Sequence, residues 1–235
     1  MPDYWINVPI DFGWNIATTS TGPYAVTTTL FIPYDPNNPK PASCSGWEEG
    51  SWRKLDELEL VLDAIELMVG PDGFGSQSKF ESAVVPTTVI RRPTAAITGI
   101  YPHALIPGKV VLTDGLFNLT DSEVIYWTVH EFGHRWDWKT GIAGGGLSSG
   151  LRKELEDSGF VYIDAQACYS GYGTCETQLR PYLTVYSTNE VLKDKEDWAE
   201  VFASFVTGKT SDGETFTHAL FPVRFRYIVD QIDAL

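Results

Sequence analysis

The feature that most constrains the fold of this chain is the segment VIYWTVHEFGHRWDWKTG at residues 124–141. It contains His130 and His134, four residues apart, with Glu131 directly after the first histidine. In an α-helix this spacing places both imidazoles on one face, where both can reach one metal ion at about 2 Å. Glu131 lies about 100° further round the helix, near such a metal but not aimed at it, as a general base requires. The segment therefore predicts a helix that carries a zinc site for a hydrolytic reaction.

This predicted helix has recognisable ends and one unfavourable residue inside it. Thr120 and Glu123 form the pattern T-x-x-E, which is typical of a capping box at a helix start. Gly141 is predicted to be the residue that follows the helix. Gly133 costs about 1 kcal/mol relative to alanine in a helix interior. We expect that a close approach by another element compensates for that cost.

The motif does not continue to a third histidine. A metzincin would have a glycine and then a histidine further along, but Asp137 and Thr140 occupy those positions. The two remaining histidines, His103 and His218, do not lie in a comparable helical pattern. A carboxylate is therefore the expected third ligand, as in catalytic zinc sites with two histidines and one glutamate.

A second predicted helix, at 193–209, offers two such carboxylates. Glu196 and Glu200 are four residues apart and share one face with Ala199 and Ala203. These small residues would let this helix approach the histidine helix closely. One glutamate can then bind the metal while the other accepts the second N–H of a ligand histidine. The alternative is an exposed acidic helix start, where glutamate favours the helix dipole in any case.

Together, HEFGH and the later EDWAEVFASF resemble the gluzincin zinc metallopeptidases, in particular the lethal-factor-like and Pro-Pro-endopeptidase-like groups. The resemblance covers about 110–207. It implies that Glu196 is the third zinc ligand and that Glu200 is the outer partner of a ligand histidine. It also implies an upstream tyrosine that stabilises the transition state. Tyr186, in LTVYSTNE, is the best match for that tyrosine, and Tyr182 competes with it.

The expected fold class is α+β. It would be a zincin-like metallopeptidase domain with a small twisted sheet packed on the HEFGH helix and a mainly helical C-terminal part. We predict this catalytic domain over residues 46–235. Residues 1–45 form a predicted β-rich N-terminal extension, which includes a proline-rich connector at 33–41. The sequence leaves open whether its strands form an appendage or join the main sheet.

Other segments predict further helices and strands. Apolar residues at spacings of three and four predict a helix over 51–69, and helices are also predicted near 151–160 and 221–232. The segment 161–190 is predicted to be irregular. Predicted strands are TTVIRR, AAITGIY and GKVVLTDG. We expect the last of these at a sheet edge, where a peptide substrate can add as a further strand.

Composition limits the classes of partner. The formal net charge of −14 disfavours nucleic acid and anionic membrane as partners. No stretch approaches the roughly 18 consecutive apolar residues of a membrane span. The first residues lack the basic and apolar regions of a signal peptide, yet an extracellular or cell-surface location is expected, with the chain a trimmed piece of a precursor. Of the three cysteines, Cys168 and Cys175 either form a disulfide or, like Cys44, stay free thiols.

The expected function is peptide-bond hydrolysis by a monomeric zinc metallopeptidase, an endopeptidase acting on a peptide or protein substrate. Zinc (Zn2+) would be held by His130, His134 and Glu196, and Glu131 would take a proton from a zinc-activated water. Tyr186 would help to stabilise the oxyanion. Two other readings stay open: a catalytically silent zincin-like binding module, and a zinc amidase acting on cell-wall peptides.

Overall fold

The described part of this chain is broken into several ranges. The computed structural model describes residues 9–10, 14–15, 30–31, 55–84, 87–92, 109–113, 115–141, 146–163, 168–170, 190–211, 213 and 215–235. Several predicted features lie outside these ranges: AAITGIY, the proline-rich connector, Tyr182, Tyr186, His103, Cys44 and Cys175.

Helices predominate in the described residues, and the strands are short. The helices are α1 (Leu55–Val69), α2 (Gln77–Val84), α3 (Asp121–Gly141), α4 (Leu147–Asp157), α5 (Glu190–Thr207) and α6 (Pro222–Asp233). The strands are β1 (Pro9–Ile10), β2 (Trp14–Asn15), β3 (Leu30–Phe31), β4 (Thr87–Arg92), β5 (Lys109–Thr113), β6 (Val161–Ile163) and β7 (Cys168–Ser170). The α+β expectation therefore holds only coarsely, as a mainly helical chain with short strands. None of the described helices is both long and apolar enough to cross a membrane.

The largest described sheet has three parallel strands in the order β3-β4-β5. Strand β4 pairs with β5 from Thr88 opposite Lys109 to Arg92 opposite Thr113. These are the predicted strands TTVIRR and GKVVLTDG, and β5 lies at one end of the strand order among the described residues. Strand β3 pairs with β4 through Leu30 and Thr87, so this part of the N-terminal segment lies beside the main sheet. The domain division at residue 45 stays a prediction.

Helix α3 lies at the centre of the structure, and α5 packs closely against it. A Cβ atom added at Gly133 would lie 3.0 Å from Cα of Ala199 and 3.2 Å from Cδ1 of Phe202. A side chain at this position would be in tighter than ordinary contact with α5, so the close approach predicted at Gly133 is confirmed. The indole Nε1 of Trp198 also donates a 2.9 Å hydrogen bond to the Gly133 carbonyl.

The two helices run antiparallel along a row of polar contacts. Tyr126, near the start of α3, contacts Glu200 and Ser204 in the second half of α5. His134, further along α3, contacts Glu196 near the start of α5. Later residues of α3 thus face earlier residues of α5. Side chains spaced four residues apart on α3 therefore lie opposite side chains spaced four residues apart on α5.

Helix boundaries agree with the sequence at some ends and depart from it at others. Helix α4 covers Leu147–Asp157 instead of the predicted 151–160, and α5 begins at Glu190, three residues before its predicted start. The Thr120 N–H donates to Glu123 at 2.9 Å, as in the predicted capping box. Gly208, with φ of 70°, follows α5 directly, as expected for a helix end. Gly141 is instead the last residue of α3, so its prediction as the residue after the helix was wrong.

Three described elements, α2, β6 and β7, were not predicted. Helix α2 begins after Ser76, whose hydroxyl accepts the Lys79 N–H at 3.3 Å, so a serine cap was present in the sequence and overlooked. Strands β6 and β7 pair with Val161 opposite Ser170 and Ile163 opposite Cys168. Their segment was predicted to be irregular. That prediction was wrong because three-residue strands are too short to show a clear alternation.

Candidate metal centre

Three predicted ligands, from two helices, meet at one point. Nε2 of His130 lies 3.3 Å from Oε2 of Glu196, and Nε2 of His134 lies 3.4 Å from Oε1 of the same residue. One potential ligand atom from each of the three side chains lies within 4.8 Å of the others. The histidine pair is buried, whereas the Glu196 side chain is 29% exposed. The predicted triad is therefore assembled by α3 and α5, with its carboxylate on the more open side.

These separations fit a metal ion. Two ligand atoms about 2.0–2.1 Å from a tetrahedral zinc ion lie about 3.3 Å from each other. The distances of 3.3 Å from His130 to Oε2 of Glu196 and 3.4 Å from His134 to Oε1 are both close to that value, with each histidine facing a different oxygen. Two imidazole nitrogens with one carboxylate oxygen are also a donor set that zinc prefers at catalytic sites. The same distances would also suit charge-assisted contacts between Glu196 and the histidines in the metal-free protein. The candidate metal site therefore depends on the donor chemistry together with the distances.

Electrostatics within the triad couples its members. Burial alone would raise the pKa of Glu196, but His134 and His130 bring it well below its ordinary value. Burial would likewise lower the pKa of His134, yet the Glu196 carboxylate raises it to about 9. Burial lowers the pKa of His130. The metal-free protein thus pairs a charged Glu196 with a protonated His134, and a metal ion would replace that proton.

Glu131 lies directly beside the triad and is 3% exposed. Its Oε2 atom has no hydrogen-bond partner among the described residues. Burial, with a further contribution from the Glu196 charge, raises the pKa of Glu131 to about 8. A buried carboxyl oxygen without a partner is unfavourable for stability. A group kept in that state is a candidate to accept and release a proton.

Glu200 lies behind His130, on the side away from Glu196. Its Oε1 atom is 3.8 Å from Nδ1 of His130, which is longer than a hydrogen bond. Its Oε2 atom accepts a 2.5 Å hydrogen bond from the Tyr126 hydroxyl. Burial raises the pKa of Glu200 to about 8. Glu200 thus stands beside the ring nitrogen that its predicted role requires.

Tyr126 and Ser204 were missed by the sequence reasoning. The Tyr126 hydroxyl lies 3.1 Å from the Ser204 hydroxyl, and both residues are buried. Burial and the Glu200 carboxylate raise the pKa of Tyr126 well above its ordinary value. The signal was available, because Tyr126 precedes His130 by four residues and Ser204 follows Glu200 by four. Tyr126 therefore shares a face of α3 with the predicted histidine ligands, and Ser204 shares a face of α5 with the two glutamates.

Asp197, the neighbour of Glu196 in the sequence, makes a different kind of contact. Its carboxylate accepts hydrogen bonds from Arg224 of α6: 3.2 Å from Nε and 3.1 Å from a terminal nitrogen to Oδ1, and 3.1 Å to Oδ2. Arg224 is completely buried. This ion pair joins α5 to α6 beside the turn of α5 that carries Glu196.

A cavity of about 880 Å³ lies near the Tyr126 end of the helix pair. Its walls include Tyr126, Trp127, Phe205, Ser211 and Phe225. The three candidate ligands do not line it. The cavity and the metal centre are therefore separate places that share Tyr126 as a neighbour.

The remaining candidates are not brought to this site. Tyr186, Tyr182 and His103 lie outside the described residues. His218 is exposed, and its ring packs against Phe225 at 5.6 Å between centroids. Comparison of the chain with protein-family models, with curated proteins and with solved structures found no match.

Proposed function

We propose that this chain is a zinc-dependent metallopeptidase of the gluzincin type, with a zincin-like fold, that hydrolyses peptide bonds. The observation that carries the proposal is the meeting of His130, His134 and Glu196 at distances suited to one zinc ion. The unpartnered carboxyl oxygen of Glu131 supports catalysis rather than metal storage. The substrate is a peptide or protein, and the protein works as a monomer outside the cell or at its surface.

Each residue has a distinct part in the proposed reaction. His130, His134 and Glu196 would hold the zinc ion, which would supply Lewis-acid activation of a water molecule and of the substrate carbonyl. Glu131 accepts a proton at its carboxylate from the attacking water and donates it to the leaving amine nitrogen. Its burial favours this role, because burial raises its affinity for a proton. Tyr186, with Tyr182 as its competitor, stabilises the developing oxyanion.

A peptide library incubated with the zinc-loaded protein tests this proposal. The wild-type chain should cleave it, and Glu131→Gln should keep zinc but lose about 10²- to 10⁴-fold in kcat, the range typical of a general base. Glu59→Gln makes the same chemical change at an exposed position of α1 and should cleave like wild type.

The outcomes separate the proposal from the alternatives. No cleavage by a wild-type protein that holds one zinc per chain would indicate a silent binding module. Cleavage of cell-wall peptides but not of unfolded proteins would indicate an amidase. Equal kcat in Glu131→Gln and wild type would show that another group is the base.

A further inference from the structure

A buried row of polar atoms runs from α5 through α3 to the metal centre. The Ser204 hydroxyl lies 3.1 Å from the Tyr126 hydroxyl, which donates a 2.5 Å hydrogen bond to Oε2 of Glu200. The other oxygen of Glu200 lies 3.8 Å from Nδ1 of His130. All four side chains are buried, with exposures of 0 to 6%. The row therefore connects a tyrosine that binds no metal to a nitrogen of a candidate ligand.

The hydrogen bond from Tyr126 fixes the orientation of the Glu200 carboxylate. A hydroxyl that donates to a carboxylate makes one of the stronger hydrogen bonds in proteins. Because Oε2 is engaged in this way, Oε1 is the oxygen turned toward His130. Among the described residues, no lysine or arginine forms an ion pair with Glu200. The Ser211 side chain is a further hydrogen-bonding neighbour of both Glu200 and Tyr126, so it belongs to the same polar row.

The state of His130 depends on the oxygen that faces its Nδ1 atom. Nε2 of His130 is the nitrogen that faces Glu196, so it is the one available to a metal. A histidine that binds metal through Nε2 carries its proton on Nδ1, and an acceptor for that proton fixes both tautomer and ring orientation. Nδ1 has no hydrogen-bond partner among the described residues. A shift of about 1 Å brings Glu200 within hydrogen-bond distance of it.

We propose that Tyr126 is a positioning residue of the metal centre: its hydroxyl, assisted by Ser204, holds the Glu200 carboxylate against Nδ1 of His130. This inference rests on the proposed zinc site and adds a residue of α3 to it. Tyr126 acts through Glu200 and His130 and does not touch the metal. Its removal should therefore lower zinc affinity only while Glu200 is present.

A purely structural role for Tyr126 makes a different prediction. Its ring packs edge-on against Trp127, with centroids 5.5 Å apart, and Tyr126→Phe keeps that packing while removing the hydroxyl. A loss of packing or of one hydrogen bond would lower the unfolding free energy without changing the zinc affinity of the folded protein. Zinc affinity therefore separates positioning from packing.

The experiment is a zinc titration in competition with a chelator on wild type, Tyr126→Phe, Glu200→Ala and the double variant. Tyr126→Phe should weaken zinc binding about 10-fold, the lower end of the range for outer partners of metal ligands. In the Glu200→Ala background the same change should have no further effect, because the two act as one unit. Ser204→Ala should weaken binding by a smaller factor and serves as the second variant if Tyr126→Phe does not fold.

Tyr227→Phe is the matched control. Its hydroxyl donates a 3.0 Å hydrogen bond to the Leu147 carbonyl, in a contact between α6 and α4. Removing it should leave zinc affinity unchanged.

Failure of this inference can be told from failure of the proposed function. Wild-type affinity in both Tyr126→Phe and Ser204→Ala, or additive losses in the double variant, would overturn the positioning role while the zinc site stands. If the wild-type protein takes up no more zinc than His134→Ala, the zinc site itself is refuted. The inference is supported if Tyr126→Phe lowers zinc affinity only in proteins that contain Glu200.

Discussion

Two ionic clusters contain adjacent residues of α5, Asp197 in one and Glu196 in the other. They differ in how the charge of the carboxylate is balanced. Asp197 is paired with Arg224, a completely buried cation that contacts both carboxylate oxygens. Glu196, one residue earlier, faces two histidines. Glu131 and Glu200 lie close to that second cluster, and burial, with a smaller contribution from the charge of Glu196, raises the pKa of both.

The difference lies in where the balancing cation comes from. The chain supplies the cation for Asp197, and such a pair serves to join helices. In the described residues, no lysine or arginine forms an ion pair with Glu196 or Glu200, so three crowded carboxyl groups share only two histidines. A divalent cation would supply the positive charge that the chain itself does not place there. The comparison thus separates a structural ion pair from a candidate metal site on one helix.

The largest effect is expected from Glu196→Ala, which removes the only candidate carboxylate ligand in the described triad. Zinc binding should be lost across the whole range of a chelator titration, and activity with it. The variant should still fold, because Glu196 is partly exposed and its partners in the metal-free protein are histidines that can lose their protons. If this variant keeps its zinc while Glu200→Ala loses it, the roles of the two glutamates are reversed.

Arg224→Met tests the other cluster. It leaves Asp197 buried without its cation, and we expect the unfolding free energy to fall by about 3–5 kcal/mol in urea denaturation. The folded fraction should still bind one zinc per chain. Arg226→Met is the control, since this arginine is 53% exposed and pairs with Glu154, so its loss should be below about 1 kcal/mol. Equal losses in both variants would remove the distinction between the clusters.

The smallest of the three effects is expected from Glu200→Ala. Its carboxylate only approaches a ligand histidine, so zinc affinity or activity should fall about 10- to 100-fold. Comparison with Glu196→Ala under the same chelator gives the sharpest contrast, because the two glutamates share one helix face. Zinc affinity at the wild-type level would show that Glu200 has no part in orienting His130.

Sequence alone predicted the placements that follow from helical spacing. The shared face of His130 and His134, and the close approach at Gly133, needed only the 3.6-residue period and the small size of glycine. The choice of Glu196 over Glu200 came from family resemblance, and the structure adds that Glu196 alone lies at ligand distance from both histidines.

Contacts between remote elements could not be predicted in this way. The pairing of Asp197 with Arg224 depends on how α6 lies against α5, and no local pattern specifies that placement. Tyr126 falls between these cases. Its spacing from His130 was visible in the sequence, but its partner on α5 was not, because the antiparallel order of the helices emerges only in the fold.

The antiparallel seam between α3 and α5 also has a consequence for the order of folding events. It joins positions 74 residues apart at Tyr126 and Glu200, and 65 apart at Gly133 and Trp198. Each half of the site can form as a helix early, but the halves meet only after a long loop has closed, with its entropic cost. A ligand that needs both halves binds the native chain and not its unfolded ensemble, and stabilises it by mass action. Zinc uptake during refolding would therefore report the closure of that loop.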